Sequence, residues 1–393
     1  MSFLSFGACR PKQLILPKGL CRIFNHPRVC FKWVKPKITS GSSMTRAVPK
    51  VFFDANILIA AGKPPGGPEM TRVVDLVDAG MIVVLTTDLT ITEVAKKHAE
   101  NDFQLIKDIT KPHVRRAIEN ATQTAIPAFT KEQVRARLME KYSAAISAMF
   151  ERLKSTTLSI DDVPASRVFD AYARSEGFFS GDSKRDQFPD AFIFECIKAG
   201  LSEGDRAIIV SNDGDYITPV ANESNIELVK SLSELFSRLG LEIEAPDVDA
   251  LLAANKHVLI DRINEELEKW GLVGDVEDSE IDEVNVTDLE VAKMVAFKPV
   301  ETGDPLILVG QLEVKAQLSY SHPDWDTASY DSEDKVLMAW DSVHGETDVD
   351  LTLDVSILIA VDENDGSLLG IEDISFRNDR FQYVVLHSPE IYK

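Results

Sequence analysis

Apolar positions divide the chain into two regimes. Between residues 50 and 240 they fall in short continuous runs: KVFFDANILIA at 50–60, MIVVLTT at 81–87, RAIIVSND at 206–213 and IELV at 226–229. Runs without alternation suit strands covered on both faces, as in a parallel sheet. Between them the period changes to that of a helix. Pro68 opens a segment with Val73, Val74, Leu76 and Val77, and Asp88 is placed to cap a helix carrying Ile91, Glu93 and Val94. Val134, Leu138, Tyr142, Ala145 or Ile146, Met149 and Leu153 recur every three or four residues and mark a helical insertion spanning residues 102–156. A short helix is expected at 164–175, another at 189–199 with Pro189 in its first turn, and a third ending at Gly240. Strand and helix alternate, so the expected class is α/β with a mostly parallel sheet.

Beyond residue 240 the pattern predicts a helix over 246–272 and then an acidic linker, 273–289, containing GDVEDSEIDEVNVTD. From 290 to 393 the period becomes two. LILVGQLEVKAQLSY, VDLTLDVSILIAV and RFQYVVLHS alternate or run apolar, which predicts a mainly β, antiparallel C-terminal domain. Its edge strands offer pairing to a protein partner or to a second copy of the chain.

Charge sharpens this division. The 393 residues carry a net charge of −22, distributed as +10 over residues 1–50, −11 over 51–270 and −21 over 271–393. Residues 1–48 are basic, contain no Asp or Glu, and read as an unstructured tail preceding the 49–245 domain. So acidic a body excludes a nucleic-acid binder of the wrapping type, which needs an extended positive footprint. It leaves room for an enzyme that meets a polyanion only at a cation-filled cleft. No run of 18 apolar residues occurs, so no membrane span is expected. Cys196 is the single thiol of the body, which fits a reducing, cytoplasmic setting, and its AFIFECI context reads as buried and inert. Cys9, Cys21, Cys30 and His26 are spaced too widely for a compact zinc knuckle.

The chemistry lies in acids that strands do not explain. Asp54 interrupts VFF and ILI; read as one extended strand, it shares a face with Asn56. A carboxylate there calls for pairing or a cation, the alternative being a simple turn cap. Asp213 and Asp215 follow AIIVSN at the carboxyl end of another central strand, where open α/β sheets form their ligand crevice. Asp190 shares a helical stripe with Ile193, Phe194 and Ile197, or merely favours the helix dipole of the first turn. Asp186 precedes that helix, and Glu93 opens another, with Lys96 and Lys97 as potential ion-pair partners. Converging carboxylates repel one another unless cations intervene. With oxygen donors, and no H-x-x-x-H pattern among the seven histidines, the ion expected is Mg²⁺ or Mn²⁺. Such a cluster suits metal-assisted phosphodiester hydrolysis. No P-loop, dinucleotide-binding loop or nucleophile elbow is present in the sequence.

The runs VFFDANILI, TTDLTITEVAKKH, RDQFPDAFIFECI and IIVSNDGDY resemble, in order, the four acidic motifs of the PIN-domain nucleases. The resemblance covers about residues 50–240. It implies a PIN-like three-layer fold and Mg²⁺- or Mn²⁺-dependent cleavage of RNA, less often of DNA, leaving a 5′-phosphate and a 3′-hydroxyl. By position it implies Asp54, Glu93, Asp190 and Asp213 as the catalytic and metal-holding acids. Asp215 would be an auxiliary ligand, and Asn56, Asp186, Ser211 and Asn212 supporting residues. Lys184 and Arg185 are placed to contact phosphate, and Lys131, Arg135, Arg137 and Lys141 form a modest basic patch on the insertion. The insertion and the β domain set the chain apart from small toxin members, and it looks closer to larger PIN-like proteins, some of which sit in toxin or defence contexts. The competing reading is a non-catalytic PIN-like scaffold acting through the C-terminal domain.

Overall fold

The computed structural model describes residues 48–180, 187–244, 248–268, 272–276, 278–301, 304–331, 336–362, 367–376 and 382–386. The basic tail, the zinc question at Cys9, Cys21, Cys30 and His26, and the expected roles of Lys184, Arg185 and Asp186 lie outside the described residues. Among the described residues no helix is long and apolar enough to cross a membrane.

The first unit runs β1 (Lys50–Phe53), α1 (Ala55–Ala60), α2 (Gly67–Asp78), β2 (Val83–Thr87), α3 (Asp88–Ile106), α4 (Pro112–Thr122), α5 (Lys131–Arg152) and β3 (Thr156–Leu158). It continues through α6 (Ala165–Arg174), α7 (Phe188–Ala199), β4 (Ala207–Val210), α8 (Ile217–Ala221), β5 (Ile226–Val229) and α9 (Leu232–Arg238). The five strands form one parallel sheet in the order β3-β2-β1-β4-β5. The strand alternation explains the three layers. Val51, Phe53, Ile208 and Val210 point into one core with α2, α3, α5 and α9, while Phe52, Ala207 and Ile209 point into another with α6, α7 and α8. The central strands β1, past Lys50, and β4 are therefore apolar and buried on both faces, as their sequence suggested.

Two local readings change. The run 50–60 is not one strand: it ends at Phe53, and Ala55–Ala60 is helical because Asp54 caps it, Oδ1 accepting from the Ala55 amide at 2.7 Å. Asp54 and Asn56 are thus not neighbours on a strand face. The cap of α3 is Thr87, whose Oγ1 accepts from the Thr90 amide at 3.0 Å, not Asp88. Asp88 instead accepts from Ser159 Oγ and the Ile160 amide, tying down the segment that follows β3. The insertion forms as expected, with Val134, Tyr142, Ile146, Phe150 and Leu153 of α5 and its cap buried.

The second unit contains β6 (Glu242–Ile243), α10 (Val248–Ala254), α11 (Lys256–Leu267), β7 (Leu272–Gly274), β8 (Glu280–Phe297), β9 (Leu306–Pro323), β10 (Ser329–Asp331), β11 (Val336–Met338), β12 (Ser342–Val361), β13 (Leu368–Phe376) and β14 (Gln382–Val384). Its main sheet is antiparallel, in the order β13-β12-β9-β8-β6. The expected 246–272 helix breaks at Asn255, whose side-chain amide donates back to the Leu251 carbonyl at 2.8 Å. The stretch read as an acidic linker is instead largely strand: β8 begins at Glu280, with Val286 and Leu289 buried between outward acids.

The two units share a core. Phe297, Ile307 and Val309 of the second sheet pack into the same cluster as α2 and the parallel strands. Arg72 of α2, 1 % exposed, donates to the carbonyls of Lys298 at 3.0 Å and Pro305 at 2.6 Å. Ser356 Oγ donates to Glu69 Oε2 at 3.1 Å. Gly67 has φ +78°, and a Cβ there would stand 2.8 Å from Ser375 Oγ, so a side chain at the start of α2 meets both strain and the adjacent β13.

Candidate active site

In the parallel sheet the chain crosses from β1 to β2 on one side, while β4 pairs with β1 on the other, so a crevice opens at the carboxyl ends of β1 and β4. Asp54 and Ser211 are the first residues past these strands. The two strand ends are stitched by the main-chain bond from Asp54 N to Val210 O at 3.0 Å, and Ser211 N ties β4 to the end of β5 through Val229 O at 2.9 Å. The side chains meet at one hydroxyl. Ser211 Oγ donates to Asp54 Oδ2 at 2.5 Å and accepts from the Asp213 amide at 3.0 Å and from Asn56 Nδ2 at 3.3 Å. Asn56 Oδ1 also faces the Asn212 amide at 3.5 Å. Asp213 Oδ1 in turn accepts from the Asp215 amide at 2.9 Å, capping a short 3₁₀ turn that ends at Tyr216.

The remaining acids come from helix starts. Asp190 lies in the first turn of α7, and Glu93 in the second turn of α3, more exposed at the rim. Burial and neighbouring charge show which acids share the space. Burial pushes Asp54 up to about 6, against the pull of its Ser211 and Ala55 hydrogen bonds, with Glu93 and Asp213 adding repulsion. Burial, then Asp54, Glu93, Asp213 and Asp215, push Asp190 up to about 7. Desolvation also raises Glu93, opposed by Lys96 and Lys97. Asp54, Glu93, Asp190, Asp213 and Asp215 thus fall in one electrostatic neighbourhood. As they stand, no three Asp, Glu, His or Cys side chains among the described residues are grouped tightly enough to hold a metal ion together.

Two site residues escaped the sequence reading. Gln187, buried ahead of α7, donates through Nε2 to Asp215 Oδ2 at 2.8 Å. Tyr216 is fully buried, its ring edge-on to Phe178 at 5.1 Å between centroids. A Gln before a proline-opened helix and an aromatic after a turn are ordinary packing signals, so neither stands out by residue type. The basic patch is largely spoken for. Arg135 pairs with Glu100 and lies over the Phe103 ring, Arg137 lies over Phe129, and Lys141 approaches Asp102 at 4.0 Å. Glu100 and Asp102 follow Glu93 by seven and nine residues, placing these pairs roughly 10–14 Å along α3 from it. His98 is a packing residue, fully buried with its ring 5.4 Å from that of Tyr142. Cys196 is buried, and burial pushes its thiol up to about 11, which keeps it un-ionised and inert.

No curated protein and no solved structure matches the chain. A family model described as PIN domain matches residues 51–216, from the second residue of β1 to Tyr216. That span holds every described carboxylate of the crevice, on a parallel sheet layered between helices. Residues 51–216 of the chain are thus similar to the PIN domain, the fold of a family of nucleases.

Proposed function

We propose that the crevice is the active site of a divalent-metal-dependent endonuclease that hydrolyses phosphodiester bonds, acting on RNA before DNA in a reducing, cytoplasmic setting. The observation that carries this reading is the Ser211 hydroxyl. It joins Asp54 to Asp213 across the carboxyl ends of two neighbouring parallel strands, so acids 159 positions apart address the same space.

The donor set fits a hard cation in type, since every candidate ligand is a carboxylate oxygen and no thiol or imidazole enters. It fits in charge as well: the upward shifts of Asp54 and Asp190 arise partly from mutual repulsion, which a bound cation removes. Asp54, Asp190, Asp213 and Glu93 would hold Mg²⁺ or Mn²⁺, with Asp215 assisting, and binding would draw them closer than they now stand. The ion, when bound, activates the attacking water and stabilises charge on the scissile phosphate. The chain's own residues do the positioning. The Ala55 amide and Ser211 hydroxyl orient Asp54, Asn56 orients Ser211 and Asn212, and Gln187 orients Asp215.

Labelled single-stranded RNA and DNA incubated with Mg²⁺ or Mn²⁺ test the proposal against Asp54→Asn, which keeps the helix cap and removes the charge. Cleavage is expected for the wild type only, and for RNA more than DNA. Absence of cleavage with every metal and substrate would leave the scaffold reading in its place.

A further inference from the structure

Two buried polar atoms of the crevice, Gln187 Oε1 and the Tyr216 hydroxyl, find no hydrogen-bond partner among the described residues. Tyr216 is 0 % exposed, and its hydroxyl has no hydrogen-bond partner among the described residues. A buried hydroxyl left unsatisfied is destabilising relative to a paired one. Phenylalanine fills the same volume without that cost, and the ring is held by packing alone, edge-on to Phe178. Tyr216 packs in one cluster with Ala191, the residue after Asp190, and directly follows Asp215; the charges acting on it are those of Asp54, Asp190, Asp213 and Glu93.

Those acids differ in what already holds them. Asp54 has both oxygens engaged, by Ala55 and Ser211, and Asp213 has Oδ1 engaged by the Asp215 amide. Glu93 stands outermost, at the rim. Asp190 has side-chain hydrogen bonds to none of the described residues, although it faces all the others. Among the described residues the crevice thus combines an acid without a side-chain hydrogen bond, a packed donor without an acceptor, and a set of ligands not yet grouped for an ion.

We propose that Tyr216 is a positioning residue whose hydroxyl donates to the Asp190 carboxylate when a divalent cation gathers the acids, fixing Asp190 as a ligand. This rests on the nuclease reading above. The tyrosine touches neither water nor substrate; it acts through Asp190, in the way that outer partners of metal ligands set their orientation.

The test compares wild type, Tyr216→Phe and Asp54→Asn. Three readouts are used: Mn²⁺ binding by calorimetry, the near-ultraviolet tyrosine difference spectrum on adding Mg²⁺, and steady-state cleavage. Tyr216→Phe is expected to fold with at least wild-type stability in EDTA, since it deletes only an unpartnered hydroxyl. It should bind Mn²⁺ about 10-fold more weakly and lose the Mg²⁺-induced tyrosine band that the wild type gives. Its kcat should fall while KM for RNA holds. Wild-type Mn²⁺ affinity and an unchanged tyrosine band in Tyr216→Phe would overturn the role of Tyr216 while leaving the nuclease intact. If the wild type itself binds no Mn²⁺ and cleaves nothing, the nuclease reading falls first, and Tyr216 reverts to a packing residue.

Discussion

At the ends of the parallel strands the carboxylates of Asp54 and Asp190 are withdrawn from water and raised in pKa. In the antiparallel sheet, Glu290, Glu313, Asp348 and Asp350 stand outward on strand faces, exposed and at alternating positions. The second set accounts for much of the net charge and explains solvation of a sheet face, with apolar residues beneath. The first set is small, costly to bury and placed where a parallel sheet opens its crevice. Charge count therefore says little about function in this chain, whereas the burial of each acid says a great deal.

The contrast breaks most sharply on substitution. Asp54→Asn should reduce cleavage by about 10³-fold or more, because it removes a charge from the space where, on the proposed function, a cation would stabilise the phosphate; a fluorescent RNA assay reads this. The same exchange at Glu313 or Asp350 should leave the rate unchanged. Arg72→Ala should cost about 3 kcal/mol of stability in urea titrations, since it strips two buried carbonyls of their donor.

Next in size is the pH effect. An acid whose pKa is raised by folding keeps a proton in the native state that the unfolded chain has released. Its stabilisation is thus fully present below the ordinary value near 3.8 and is lost as pH rises through about 7 for Asp190. In EDTA, Asp190→Asn should therefore be more stable than wild type at pH 8, by on the order of 2 kcal/mol after discounting for partial exposure, and nearly equal to it at pH 4. Mg²⁺ should raise the wild-type Tm more at pH 8 than at pH 5.5, where protons compete for the same oxygens; equal shifts would show that the cation binds elsewhere. Smallest is the surface: Glu290 stands directly opposite Glu313 on β8 and β9, so Glu290→Lys should add about 0.5 kcal/mol.

The parallel sheet was legible because two-sided burial leaves continuous apolar runs, and Asp54, Asp190 and Asp213 stood out by interrupting or ending them. The turn at Asp54 was not legible. Ala55, Ile57 and Leu58 are buried in a helix as they would be in a strand, and six residues hold too few turns for the periods to separate. The start of β8 was hidden for another reason. Register shifts between Ile281 and Glu283, Val286 and Asp288, and Val291 and Lys293 reset the inward phase three times, so a true strand reads as an irregular acidic stretch. Tyr216 was invisible because only the surroundings of its hydroxyl, not its residue type, distinguish it from a core aromatic.

The placement of Phe297, Ile307 and Val309 inside the cluster that also backs the parallel strands has a practical corollary. Trimming the chain to its nuclease-like portion near residue 245 would slice through a single interior, stranding the Arg72 guanidinium without its two carbonyls. The β sheet is better regarded as one wall of the parallel-sheet half than as a passenger, and the shortest fragment expected to fold must retain both.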